Sequence, residues 1–371
     1  MQTLNRPLPG ATGGAGVLTV RNNIWVTAVV LLASVALCTA ADANAKLLHR
    51  RAPRTTAAPA APPGPIPSDA GALGGYDVLI ADRGNNRLLL VSPQKRILWE
   101  YEFDGLPPGR GADDAFFADD GKSVIVNLEH EHVIEIIDYA TKKVTWQYGV
   151  LGRPGTSEGH LNYPDDAYKL PNGNVIVADI RNCRIIEIAP DKRIVRQAGV
   201  TGRCEAKPPM LSSPNGDTPL GNGHLLVSTI GDHSLIELDE NWTPIFKISL
   251  PISYPSDPQP TKSGDFLVAS YTRPGRIIQI ARDGTIIWDY AGDGDGGLNR
   301  PSLAIELPNG NVMANDDLNH RVIVIDKAGK RVVWQYGVTG RPGSGEGYLS
   351  IPDGVDIIQP DRVGSGVAEK D

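Results

Sequence analysis

From Tyr76 onward the apolar residues fall in short runs of four or five, each bounded by turn formers. Two runs show the arrangement: Val175-Ile176-Val177-Ala178, then Ile185-Ile186-Glu187-Ile188. Runs of this length predict strands, not helices. A Pro-Asn-Gly-Asn turn precedes the first of each pair (Pro171 to Asn174, Pro308 to Asn311) and supplies the positive φ that a tight hairpin needs. A later strand ends in an aromatic pair: Trp99 with Tyr101, Trp146 with Tyr148, Trp288 with Tyr290, Trp334 with Tyr336. The whole pattern returns about every 42 to 52 residues, a period that marks blades or solenoid units. Its copies start at Tyr76, Ala112, Pro164, Pro214, Pro255 and Pro301.

Each copy predicts four strands. A large rigid ring at one register in four copies suits packing between neighbouring sheets. The first copy opens directly on its second strand, Val78-Leu79-Ile80-Ala81-Asp82. The last residues, Ile351 to Gln359, match a first strand and nothing more. The expected fold is therefore an all-β, six-bladed β-propeller of four-stranded blades over residues 76–360. Its N-terminal blade is completed by the C-terminal strand, which protects edges and removes the seam. Residues 361–371 are expected to be a disordered tail.

Between the second and third strands recurs Asp-x-x-Asn-x-Arg: Asp82 to Arg87, Asp179 to Arg184, Asp316 to Arg321. Asp and Asn favour turns through side-chain to backbone hydrogen bonds, and the arginine can fork back onto the Asp carboxylate. A glycine-rich lead-in from Gly149 to Pro164 recurs from Gly337 to Pro352. With these residues the unit resembles the NHL repeat, over nearly everything after Gly75. The resemblance implies a propeller that mainly recognises partners. The NHL family includes RNA binders with a basic face; here the net charge is −7, without the Lys/Arg excess that displaces counterions from phosphates, and no nucleic acid is expected.

Upstream, residues 1–23 precede Ile24 to Ala41, eighteen residues without a charge, which predict a signal or membrane-anchor helix. Small-x-small sites follow at Ala41 to Ala45, and residues 42–75 form a Pro/Ala-rich linker, expected to be extended and solvated. The cleavage region and tether favour a membrane-anchored or secreted, extracytoplasmic domain. The cluster Lys46, Arg50, Arg51 and Arg54 favours the alternative of a cytoplasm-facing anchor. In an exported domain Cys183 and Cys204 could form a disulfide; otherwise they are two separate thiols.

Candidate chemistry lies after the blade-starting prolines, where Asp113, Asp165, Asp166, Asp257 and Asp353 should converge on the central channel, alongside Asp114, Asp217 and Asp356. Converging carboxylates repel unless a cation sits among them, so Ca2+ in the channel is a candidate cofactor, with Asp165 and Asp353 as metal ligands. Alternatively each Asp caps local amides or pairs with a loop arginine such as Arg153 or Arg341. The loop Asp293-Gly-Asp295 has calcium-like spacing but lacks the remaining EF-hand ligands. His130 with His132, His233 and His320 fall in the turns of three blades and are expected to be solvated and not to converge. With no nucleophile elbow, Walker loop or His-Glu-x-x-His pattern, no catalytic residue is assigned. The expected function is an extracytoplasmic ligand- or protein-binding module; the alternative is a metal-dependent lyase or hydrolase working at the channel.

Overall fold

The computed structural model describes residues 66–118, 121–292 and 297–364. They form six four-stranded antiparallel sheets. The innermost strands are Pro352–Ile358, Ala115–Phe117, Pro164–Lys169, Pro214–Pro219, Pro255–Pro260 and Ala304–Glu306, for blades one to six. Contacts between successive inner sheets run around the ring and return from the sixth blade to Pro352–Ile358. That last strand pairs with Asp77–Asp82, so the first blade is assembled from both ends of the propeller. The segment Ile24 to Ala41 lies outside the described residues, and among the described ones no helix is long and apolar enough to cross a membrane.

The turn motif works as a buried hydrogen-bond node. Asp179 Oδ2 accepts from Asn182 Nδ2 at 2.7 Å and Arg184 Nε at 2.8 Å, while its Oδ1 accepts from the backbone N–H of Asn162 at 2.7 Å. Asp82 and Asp316 repeat this set, taking the N–H of Ser350 and Asn299. Each Asp thus ties the turn to the connector that leads into the same blade. The residue before the Arg, or before the residue that replaces it, is held at positive φ: Asn86, His132, Cys183, His233 and His320 lie between 52° and 60°. Asn and His are among the non-glycine types that tolerate this region. Burial lowers the pKa of His132 and of His320, and each accepts a backbone N–H on Nδ1, from Tyr163 and Ile351, at 3.1 Å. These two histidines therefore hold a connector in place, contrary to the solvated role expected of them.

The tryptophans peg one blade to the next. Trp99, Trp146, Trp288 and Trp334 donate Nε1 to the backbone oxygens of Tyr139, Pro190, Lys327 and Pro93, at 2.9–3.1 Å. In the third and fourth blades Arg196 and Phe246 take this place; Arg196 bonds Glu240 O and lies over the ring of Trp242. Cys183 and Cys204 are joined by a disulfide, with Cα atoms 5.2 Å apart.

Both tips of the propeller depart from expectation. The expected solvated linker docks from Ile66 onward. Asp69 N donates to Val333 O and Gln335 N to Pro67 O, which places the segment along the outer strand of the sixth blade. The turn Ala70–Leu73 then buries Ala72 and Leu73 completely enough to join the core. At the other end, residues 361–364 form an ordered turn whose Gly364 N donates to Gly121 O. Residues 365–371 lie outside the described residues.

Candidate functional site at the axial mouth

The inner strands bulge where they approach the axis. Asp165 pairs with Ala178 and Ala167 with Val177, so Asp166 is the extra residue; register shifts also fall between Pro214 and Asp217 and between Ser256 and Gln259. A bulge re-aims side chains, and here it lets consecutive acidic residues leave the ladder. Two glycines make room: a Cβ on Gly216 would meet Asp257 Cα at 2.9 Å, and one on Gly354 would meet Asp114 Cα at 2.5 Å.

The five residues expected at the channel all lie there. Asp113, Asp165, Asp257 and Asp353 line a cavity of about 540 Å3 at the mouth, and Asp166 sits deeper, fully buried with Asp114 and Asp217. Two triads of carboxylates each place one oxygen per residue within 4.8 Å of one another: Asp113, Asp114 and Asp165, and Asp114, Asp166 and Asp257. Asp353, expected as a metal ligand, instead pairs with Arg83 Nη1 at 2.5 Å and accepts from Ser302 Oγ at 2.8 Å. Asp356 caps the amides of Phe117 and Ile357. Asp293 and Asp295 lie outside the described residues.

Arg83 is the counter-ion of the mouth, in place of the loop arginines considered from the sequence. It also pairs with Asp113, with Glu129 at 3.1 Å, and contacts His130 Nδ1 at 2.6 Å. Burial opposes its charge, but the three carboxylates outweigh that and hold it protonated. Asp353 stays ionised below the usual carboxylate range: burial pushes it up, and Arg83 together with hydrogen bonds to Asp113, Asp317 and Ser302 more than offsets this. The rest of the ring lacks such help. Burial first, then neighbouring carboxylates, raise Asp165, Asp166, Asp217 and Asp257 well above the ordinary value, and Asp114 to about 7. Both oxygens of Asp166 and of Asp217, and Oδ1 of Asp114 and Asp257, have no hydrogen-bond donor among the described residues.

Buried charges persist when paired or coordinating a metal. Oxygen-only donors with spare lone pairs match a hard cation such as Ca2+, which takes about 6–8 oxygens. The two triads and Asp217 therefore fit such an ion, and its charge would stabilise the ionised state of the ring.

Around this acidic floor the mouth is lined by residues from two recurring registers. The position after the turn Asp gives Arg83 and Ile180, and the matching position of blades without that Asp gives Glu129, Ile230 and Tyr271; the position before the blade Pro gives Tyr163, Ser213, Tyr254 and Arg300. The latter four are held at φ between 49° and 57°, a region that costs a non-glycine residue about 1 kcal/mol or more. His130 lines the mouth too, whereas His132, His233 and His320 are not among its lining residues. These lining residues were missed because no motif marks them; the available signal was their shared register relative to Asp and Pro.

No family model matches the chain, and no curated protein does. Among solved structures, a protein of unknown function from Bacteroides caccae superposes with a TM-score of 0.56 at 17% identity, covering 77% of this chain and 99% of its own. A chain of a nidogen/laminin complex gives 0.53 at 13%, covering 77% and 99%. A streptogramin B lyase gives 0.47 at 16%, covering 66% and 74%. At these identities the likeness shows the propeller fold alone.

Proposed function

We propose that this chain is an exported, NHL-type binding propeller that seats a small ligand at the axial mouth, above a divalent cation held by the carboxylate ring. One observation carries the reading: the axial carboxylates converge in two triads, yet the oxygens of Asp166 and Asp217 are buried with no donor. Such oxygens need a cation or a proton, and three or more of them within coordination reach favour the cation. The disulfide between Cys183 and Cys204 supports export, since such bonds persist in oxidising compartments. The repeat itself, with its Asp-Asn-Arg node, supports the NHL assignment.

A second reading, a metal-dependent enzyme, is favoured by one feature. His130 stands at the mouth beside Arg83 and Glu129, its side chain 32% exposed, where it could exchange a proton with a bound molecule.

The test is elemental analysis of the protein purified without chelator, followed by thermal melting with EGTA and with added Ca2+. About one or more calcium ions per chain is expected, with a melting temperature that falls on chelation and recovers on calcium addition. A metal-free protein whose melting ignores both treatments would end the cation reading.

A further inference from the structure

Three arginines line the axial cavity, and they are held in two different ways. Arg83 is enclosed by carboxylates. Arg181 and Arg300 form no ion pair among the described residues. Each is held by an aromatic ring: the Arg181 guanidinium lies 3.2 Å from the centroid of Tyr163, and that of Arg300 lies 5.4 Å from Tyr271. A ring face orients a guanidinium without neutralising it, and leaves its edge N–H groups unused. The platforms are themselves fixed. Tyr163 packs between His130 and His132, and Tyr271 against Tyr254.

The two arginines are rooted in the third and sixth blades, which face each other across a six-membered ring. Both are solvent-exposed, so a ligand can reach them. Beneath them lies the acidic floor, which by itself would repel an anion. With the floor's charge met by a cation, the same mouth offers two oriented positive forks over a metal, an arrangement that suits an oxyanion.

We propose that the mouth recognises the oxyanion group of a small polar molecule, with Arg181 and Arg300 as its two recognition residues. This rests on the cation reading above and names the ligand class of that site. The cavity has the size of ordinary small-molecule pockets, so the ligand is a small acid and not a polymer. The arginines select for the charged end.

Calorimetric titration of calcium-loaded protein with D-glucuronate, sulfate and D-glucose tests this, with calcium content measured on the same samples. Glucuronate and sulfate should bind and glucose should not. In the double variant Arg181→Gln/Arg300→Gln, anion affinity should fall about tenfold or more, since each change removes a charge-assisted contact. Calcium content and melting temperature should stay at the wild-type level. Equal binding of glucose and glucuronate, no binding of either anion, or an unchanged affinity in the double variant would each overturn the proposal. Protein that holds no calcium but still binds sulfate through the two arginines would sink the cation reading while leaving the oxyanion site standing.

Discussion

The outer ring and the axial mouth are built from the same repeat but obey opposite rules. On the outside, identical residues recur: a Trp that donates to the next blade, and an Asp that gathers an Asn, an Arg and a connector N–H. At the mouth, equivalent positions diverge. The residue before the blade Pro is Tyr, Ser, Tyr, Arg or Ile, and the one after the turn Asp is Arg, Ile or Asp. Repetition reports what every blade needs in order to pack. Divergence at one register reports what the ring needs only once. The energetics invert as well: the turn nodes and tryptophan pegs are satisfied polar groups, while the axis holds carboxylates that oppose one another.

The sharpest contrast lies between Trp334 and Asp166. Trp334→Ala empties a fully buried site that also pegs the sixth blade to the first; about 3–5 kcal/mol should be lost in urea unfolding, with calcium content per folded molecule unchanged. A loss of calcium without a loss of stability would erase the division drawn here. Next in size is the third-blade staple. The bond closes a loop of 21 residues, so Cys204→Ser should cost about 3 kcal/mol in the same assay, and reducing agent should lower wild-type stability to match. Opening this bond should leave the measured calcium content unchanged.

Asp166→Asn should act with the opposite sign. It removes one of the mutually repelling buried carboxylates, so metal-free protein should gain about 1 kcal/mol while calcium retention drops. If the metal-free variant is instead weaker than wild type, the axial acids are structural and belong with the outer ring. The smallest effect concerns His320, whose pKa burial lowers. The unfolded chain then takes up more protons, so this group's contribution is complete above about pH 6.5 and fades as pH falls below it. His320→Asn, which tolerates the same positive φ, should flatten that part of the stability profile in urea titrations between pH 7 and 5.

The sequence revealed the blades through Trp99, Trp146, Trp288 and Trp334 and through the turn motif, because both recur. It also placed Asp113, Asp165, Asp166, Asp257 and Asp353 at the axis, because their distance from a blade-starting Pro, or from the matching position, is short and regular. Arg83 was invisible: it occupies an arbitrary x of the turn, and its role depends on acids about 30 and 270 residues away, brought near only by ring closure. The arginine-tyrosine pairs stayed hidden for the same reason. The docking of residues 66–73 escaped notice because a Pro/Ala-rich composition argues for solvation, while a single Leu73 and a few backbone donors decide otherwise.

The segment that docks along the sixth blade also sets how the ring would respond to tension. A pull arriving from upstream meets Pro67 and Asp69, whose bonds to the outer strand lie at the seam where the first and last blades join. Lys95 of the first blade grips Pro67 O as well, so the load is shared by both sides of that joint. A load applied to the chain at Ile66 would therefore fall first on the outer margin of the blades, on the side of the sheets away from the channel.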